Sequence, residues 1–197
     1  SSDSIYFDRF AQWDAAGNST TAGTNNESGA CESTASDYRS WFFLGTNPAS
    51  PGNGAMDRCN NTSNTTYTPG SGTWTDLYTA WWGYGTLPKL NSGLAAVRTY
   101  FYNATNPTDS VGPYWINQGA SAWRFDVGDD VDGGTGSGNS SGYWSGFRTK
   151  INAINPSHLS GTDPAMLGEL WGDASPWLVG DQWDSVMNYR FRSAVLS

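Results

Sequence analysis

The chain has 197 residues, enough for one sizeable domain, and carries 18 acidic against 10 basic side chains. The resulting formal charge of -8 argues against a nucleic-acid partner, because binding to a phosphate backbone calls for a basic patch. No apolar run approaches the ~20 residues of a membrane-spanning helix, so we expect no membrane partner either.

The composition favours an uncharged, hydroxylated ligand. Charged residues make up only 14% of the chain, whereas aromatic residues reach 15% and include 11 tryptophans. Neutral polar groups beside indole rings suit a sugar, whose C–H faces stack on aromatic side chains. The alternative, that these rings pack in the core or in loops, stays open for each tryptophan.

Residues 1–86 are rich in Gly, Asn, Ser and Thr and show no sustained helical period and few strand-like alternations. A loop region of this length inside a compact domain is typical of a functional insertion. It contains both cysteines, Cys31 and Cys59, which form either a disulfide or two free buried thiols. The low charge and the scarcity of cysteine fit an exported protein, in which a disulfide would persist, so we expect an extracellular location.

The pattern changes near residue 87, where two helices are predicted. Pro88 and the capping candidates Asn91 and Ser92 precede the first helix, and Gly119 ends a second one over 110–118. The residues that set the helical spacing are Leu94, Val97, Arg98 and Phe101 in the first helix, and Val111, Tyr114 and Trp115 on one side of the second.

Two predicted strands end in carboxylates. A strand over 121–127 places Arg124 and Asp126 on one face, because alternate side chains of a strand share a face. A strand over 165–170 ends in Glu169. Carboxyl ends of parallel strands are where α/β folds keep their sites, so we expect the two acids to lie together.

Helices alternate with these strands. A helix is predicted around 143–153 and a short one near 176–182, which leads to a third strand over 185–189. Strand–helix–strand units at this spacing predict right-handed connections and a parallel sheet.

Several segments together resemble the α-amylase superfamily, and most closely its pullulan- and cyclomaltodextrin-hydrolysing branch. These segments are Phe7–Phe10, Tyr38–Trp41, Leu87–Asn91, Trp123–Asp130, Leu167–Trp171 and Asp181–Tyr189. The resemblance implies an α/β fold in which residues 87–197 form the central part of a (β/α)₈ barrel, about strands four to six. Residues 1–86 would be a loop-rich insertion between the third barrel strand and the third helix.

The resemblance also implies catalytic roles. Asp126 matches the nucleophile, which forms a covalent glycosyl-enzyme, and Glu169 matches the general acid/base. Arg124 matches the arginine that keeps the nucleophile ionised, as a guanidinium does for a neighbouring carboxylate. As an acid, Glu169 needs a raised pKa, which we expect a partly desolvated setting beside Leu167 and Trp171 to supply. Two carboxyl groups about 5 Å apart would give retention of configuration.

Simpler roles stay open for these residues. Asp126 is also a candidate helix cap, Arg124 a plain ion-pair partner and Glu169 an ordinary strand-end carboxylate. Asp173 and Trp177, just past the acid/base, are expected to help define the acceptor side. The aromatic residues that we expect either to bind sugar rings or to pack are Trp81, Trp82, Tyr84, Trp171 and Trp177.

No metal ligands can be assigned from the sequence. Asp129, Asp130 and Asp132 precede two glycines, but without the spacing and distal Glu of a calcium loop they favour a solvated turn. A structural Ca²⁺ in the insertion is compatible with its Asp and Asn oxygens. No organic cofactor is expected, and the only histidine, His158, is interpreted as a loop residue.

The family pattern also extends past this sequence. Its first motif, an Asn-His pair, would precede Ser1, and its third carboxylate would follow Ser197. Because a complete barrel takes ~250 residues, we expect the remaining strands to come from another chain or from further sequence. The expected activity is retaining hydrolysis of starch, pullulan or cyclic maltodextrins. The alternatives are a transglycosylase that uses the same carboxylates and a non-catalytic glucan-binding fragment.

Overall fold

The structure, a computed structural model, describes residues 38–45, 54–58, 77–81, 87–131 and 142–196. The chain divides into two compact units, Ser1–Asn91 and Ser92–Ser197. None of the helices within the described residues is long and apolar enough to cross a membrane.

The described part of the first unit contains an antiparallel sheet. Its strands are β1 (Leu44–Gly45), β2 (Gly54–Arg58) and β3 (Leu77–Trp81), in the order β1-β3-β2. A single-turn 3₁₀ helix, Arg39–Trp41, precedes β1. The alternation of side chains that predicts a strand is weak here, so local pattern does not indicate this sheet, which forms by pairing between separate segments. The proposed pair Cys31 and Cys59 lies outside the described residues and stays a prediction.

The second unit contains five α-helices within the described residues, and the first, second and fourth lie where the sequence predicts them. They are α1 (Ala95–Arg98), which continues as a π-helical turn (Thr99–Asn103), α2 (Val111–Asn117), α3 (Gly128–Val131), α4 (Tyr143–Asn152) and α5 (Tyr189–Leu196). Three 3₁₀ turns, Pro107–Asp109, Ser157–Leu159 and Ser175–Trp177, join them. The helix predicted near 176–182 is wrong, since only the last of these turns forms there and Gly180 then adopts a φ of 100°.

The buried face of α2 also differs from the side singled out by the sequence. Ile116 is fully buried, whereas Tyr114 and Trp115 are 41% and 52% exposed. The small residues Gly112 and Pro113 lie on the buried face. A Cβ at Gly112 would lie 2.4 Å from the ring of Phe147, so α2 approaches α4 through its backbone.

A three-stranded parallel sheet forms the centre of the second unit. Its strands are β4 (Ala122–Phe125), β5 (Ala165–Gly168) and β6 (Ser185–Val186), in that order. A small parallel sheet with intervening helices is consistent with part of a (β/α)₈ barrel. The third strand is shorter than predicted, because the chain turns after Val186 and Tyr189 already begins α5.

An aromatic core lies on one face of this sheet. Trp123 and Phe125, which alternate with the exposed Ala122 and Arg124 along β4, pack against rings of α4. The buried aromatic side chains of this core are Tyr102, Tyr143, Trp144, Phe147, Trp177 and Trp183. Gly168 allows the closest approach, since a Cβ there would lie 2.3 Å from the indole of Trp183. This packing fixes β5 and leaves Arg124 and Leu167 on the opposite face.

Candidate active site

The sheet register brings the two predicted acids together. Arg124 pairs with Leu167 and Phe125 with Gly168, so that Asp126 and Glu169 are the next residues along their strands. The amide of Glu169 donates to the carbonyl of Phe125 at 2.8 Å. The amide of Gly128 donates to the carbonyl of Glu169 at 3.2 Å, which closes the end of the strand pair. Both carboxylates therefore follow directly from neighbouring parallel strands.

Arg124 contacts both carboxylates at once. One guanidinium nitrogen pairs with Asp126, and Nη2 lies 2.9 Å from Oε2 of Glu169. The same Nη2 also lies 3.4 Å from the sulfur of Met187. The hydrogen bond with Asp126, followed by the charge of Glu169, raises the pKa of Arg124. A single positive charge is thus shared between two acids, which weakens the repulsion between them.

Glu169 accepts further hydrogen bonds. The hydroxyl of Tyr189 donates to Oε1 at 2.8 Å, and the amide of Val127 donates to Oε2 at 3.3 Å. These contacts, the first of them above all, and Arg124 hold the pKa of Glu169 down at about 2. The side chain is only 12% exposed, and its burial by itself would raise the pKa. The predicted raised pKa of Glu169 is therefore wrong for this state of the protein, because hydrogen bonds and charge outweigh desolvation.

The turn between Asp126 and α3 has a strained backbone. Val127 adopts a φ of 41°, in the left-handed region that a β-branched side chain disfavours. This conformation directs the amide of Val127 to the Glu169 carboxylate. It also lets the next amide, that of Gly128, donate to the Glu169 carbonyl. Strain of this kind costs of order 1–3 kcal/mol and persists only where surrounding contacts hold it. Here the contacts that hold it belong to the acid itself and to the indole of Trp144, which donates to the Gly128 carbonyl at 2.9 Å.

Tyr189 is the site residue that sequence reasoning missed. The sequence pattern predicts it at the end of the third strand, but it begins α5 and its hydroxyl donates to Glu169. Its ring also lies against that of Trp171, with centroids 5.8 Å apart. The available signal was its position in the Asp181–Tyr189 segment that resembles the family, although no periodicity marks its side chain as functional.

The predicted acceptor-side residues, Asp173 and Trp177, and the predicted sugar platform Trp171 differ in exposure. Trp171, two residues after Glu169, is 65% exposed, so its ring is available to a sugar. Asp173 is exposed too, and hydrogen bonds from Ser175 and the nearby Arg190 lower its pKa. Trp177 is only 2% exposed and stacks on Trp183 at a centroid distance of 5.3 Å. Its prediction as a sugar platform is wrong, because both of its faces lie in the core.

The other predicted platforms are not tested. Trp81 is the last residue of β3, and Trp82 and Tyr84 lie outside the described residues. Their roles stay predictions.

Metal ligands are not found in the described segments, where no three His, Cys, Asp or Glu side chains lie close enough to hold an ion. Asp129 and Asp130 belong to α3, and Asp132 falls outside the described residues. His158 lies in the exposed turn Ser157–Leu159, with Nε2 3.2 Å from the Ala120 carbonyl. A calcium ion in the insertion stays a prediction.

Comparison with known proteins matches most of this chain to one protein family. The model of the α-amylase catalytic domain matches residues 12–197. Neopullulanase 2 of Thermoactinomyces vulgaris is 37% identical over 110 residues, and a cyclomaltodextrinase of Thermoanaerobacter pseudethanolicus is 37% identical over 111 residues. Each alignment covers 56% of this chain, and the chain spans only 15% and 16% of these two relatives.

Solved structures agree with the sequence matches. The debranching enzyme of Nostoc punctiforme superimposes with a TM-score of 0.52 at 28% identity, over 82% of this chain and 26% of that one. A cyclomaltodextrinase structure gives a TM-score of 0.52 at 30% identity, over 83% of this chain and 21% of that one.

Proposed function

The chain belongs to the α-amylase catalytic-domain family, and from that premise we propose that the protein is a retaining α-glucan hydrolase in which Asp126 is the nucleophile and Glu169 the acid/base. The observation that carries the proposal is the shared guanidinium of Arg124 between two carboxylates at adjacent strand ends. The names of the relatives, neopullulanase and cyclomaltodextrinase, favour pullulan, starch and cyclic maltodextrins as substrates.

The reaction would proceed by double displacement. Asp126 attacks the anomeric carbon, the glycosidic bond breaks, and Glu169 gives its proton to the leaving oxygen. Water then attacks the glycosyl-enzyme, with Glu169 taking up its proton, and Asp126 is released. Arg124 keeps Asp126 ionised for the first step, and its exposed position leaves room for a sugar ring above the pair.

The surroundings of the acids would bind the glucan. Trp171, exposed beside Glu169, offers a face for the sugar on the leaving side, and Asp173 offers carboxylate oxygens to its hydroxyl groups. An extracellular location, with Cys31 and Cys59 joined in the insertion, belongs to the same proposal.

The test is covalent trapping. The native protein is incubated with 5-fluoro-α-glucosyl fluoride, whose glycosyl-enzyme hydrolyses slowly, and its peptides are analysed by mass spectrometry. We expect an adduct on the peptide that contains Asp126, and none in Asp126→Asn. An adduct on another carboxylate, with unmodified Asp126, would overturn the assignment of the nucleophile.

A second candidate is a glucan-binding protein without catalysis, which the ionised state of Glu169 favours. With a pKa of about 2, this residue is ionised near neutral pH, where an acid catalyst must be protonated. Retention on starch without release of reducing ends at any pH between 3 and 8 would establish this candidate. Release of reducing ends that is lost in Glu169→Gln would exclude it.

A further inference from the structure

A chain of contacts links solvent to the proposed acid/base. The ring of Trp171 lies against that of Tyr189, with centroids 5.8 Å apart, and the hydroxyl of Tyr189 donates to Oε1 of Glu169 at 2.8 Å. Trp171 is 65% exposed, whereas the side chain of Glu169 is 12% exposed. The outer end of this chain can therefore meet a ligand while its inner end controls a group beneath it.

The two oxygens of Glu169 have different partners. Oε2 is 2.9 Å from Arg124 and 3.3 Å from the amide of Val127, both fixed at the end of β4. Oε1 faces the Tyr189 hydroxyl, so it is the oxygen left to carry a catalytic proton. A donated hydrogen bond at Oε1 competes with that proton, because it stabilises the ionised carboxylate.

We propose that Tyr189 is a positioning residue that keeps Glu169 ionised in the free protein and withdraws from it when a glucan occupies Trp171. This inference rests on the proposed function. After withdrawal, Glu169 takes a proton from water at Oε1 and passes it to the leaving glycosidic oxygen. Binding of the glucan and protonation of Glu169 are then coupled, so that the protonated acid forms only in the complex.

The geometry supports such a movement. Tyr189 is the first residue of α5, packs against the exposed edge of the site and is only half-buried. Its ring lies 5.8 Å from that of Trp171 at an interplanar angle of 60°. A sugar that stacks on Trp171 would therefore also lie close to the ring of Tyr189.

Other groups face Glu169 but do not change with Tyr189. Within the described residues they are Arg124 on β4, Asp126 after it and the amide of Val127. Tyr189 is the largest contributor to the lowered pKa of Glu169, and in return Glu169 raises the pKa of Tyr189. Removal of one hydroxyl therefore isolates the proposed effect from that of the guanidinium.

The test compares three substitutions by carboxyl ¹³C NMR titration of the protein labelled at Glu Cδ. Tyr189→Phe removes the donor and keeps the ring, and Trp171→Phe keeps an aromatic face but removes the indole that lies against Tyr189. Tyr114→Phe is the matched control, because Tyr114 lies on α2 with its ring against Trp115 in a similar edge contact. The Glu169 signal is identified by its loss in Glu169→Gln. We expect its midpoint to rise most in Tyr189→Phe, less in Trp171→Phe and not at all in the control.

A sulfur-linked maltotriose analogue, which resists hydrolysis, tests the withdrawal. In the wild type it should raise the Glu169 midpoint, whereas in Tyr189→Phe it should leave the already raised midpoint nearly unchanged. The pH dependence of kcat/KM reports groups of the free enzyme, and that of kcat reports groups of the complex. Tyr189→Phe should therefore shift the alkaline limb of the kcat/KM profile to higher pH and leave the alkaline limb of the kcat profile unchanged. An unchanged midpoint in Tyr189→Phe, or an equal effect of the analogue on both proteins, would overturn the inference.

Failure of the proposed function would be distinguishable from failure of this inference. Absence of hydrolysis by the wild type contradicts the function, while the NMR titrations still decide whether Tyr189 controls Glu169. A loss of folding in Tyr189→Phe would be seen in its thermal unfolding, and Trp171→Phe then carries the comparison, with no shift of its midpoint counting against the inference.

Discussion

Two arginines of the second unit, Arg124 and Arg148, contact carboxylates near the same sheet in contrasting ways. Arg148, on α4, is 11% exposed and donates to the carbonyls of Gln182 (2.9 Å) and Pro164 (2.7 Å) as well as to Asp184. Arg124, on β4, is 42% exposed, and its guanidinium donates to the side chains of Asp126 and Glu169. Backbone partners tie Arg148 to the fold, whereas Arg124 binds two side chains that a substrate can reach.

The two arginine clusters are expected to have different roles, the Arg148 cluster in the stability of the fold and the Arg124 cluster in catalysis. Asp184 also accepts from the amide of Met166 at 2.6 Å, so the Arg148 cluster joins α4 to the start of β5 and to the segment before β6. The Arg124 cluster joins the carboxyl ends of β4 and β5, and its side chains bond to the backbone, within the described residues, through the amide of Val127 on Glu169. We therefore expect substitutions in the first cluster to unfold the protein and those in the second to inactivate it.

The largest expected effect is on activity, from Asp126→Asn. Loss of the nucleophile should lower kcat on the order of 10⁴-fold or more. The free energy of unfolding should change by less than about 0.5 kcal/mol, because the side chain is 73% exposed. Reducing-end release and urea denaturation measure the two quantities, and Asp181→Asn, at another exposed aspartate, is the control. Full activity of Asp126→Asn would place the chemistry elsewhere.

Arg148→Met should give the opposite result. It leaves Asp184 and two buried carbonyls without their partner, which should cost about 2–4 kcal/mol of unfolding free energy. The kcat of the molecules that remain folded should stay within about twofold. Lys150→Met, two residues further along α4, controls for loss of a positive charge. A stability equal to that of the control would show that the cluster does not hold the sheet.

Gly168→Ala should destabilise by about 1–3 kcal/mol, because its Cβ would collide with the buried indole of Trp183. Gly172→Ala is the matched control four residues later, since no atom lies within 4 Å of a Cβ there. Thermal unfolding of both variants measures the difference. Equal stability of the two would mean that Trp183 shifts freely, and that the core does not fix the strand that carries Glu169.

The smallest expected effect is the acid sensitivity that Glu169 confers. Its folded-state pKa of about 2 lies below the ordinary 4.5, so ionised Glu169 stabilises the fold above pH 4.5 and loses this contribution as the pH falls toward 2. Because its partner Arg124 is 42% exposed and therefore screened, we expect no more than about 1 kcal/mol. Urea denaturation of the wild type and of Glu169→Gln at pH 7, 5, 3 and 2 measures it. The two stabilities should converge at low pH, and a constant difference would contradict the lowered pKa.

Much of the second unit could be predicted from local pattern. The helical spacing around Val97 and the alternation across Trp123–Asp126 identified α1 and β4 because each signal lies within a few consecutive residues. The face of α2 was harder to identify, since Gly112 and Pro113 form a buried surface by closeness to Phe147 rather than by their own hydrophobicity. The short sheet β1–β3 gave little local signal, because its pairing joins segments that are distant in the chain.

The sequence by itself determined that Asp126 and Glu169 each follow a strand, because alternation is a local property, and the strand–helix–strand spacing predicted that these strands are parallel. Only the tertiary structure decided that Arg124 is shared between both acids, that Tyr189 binds Glu169, and that Trp177 is buried while Trp171 is exposed. These outcomes depend on which side chains meet after the chain has folded, and a meeting between distant residues leaves no periodic trace in the sequence.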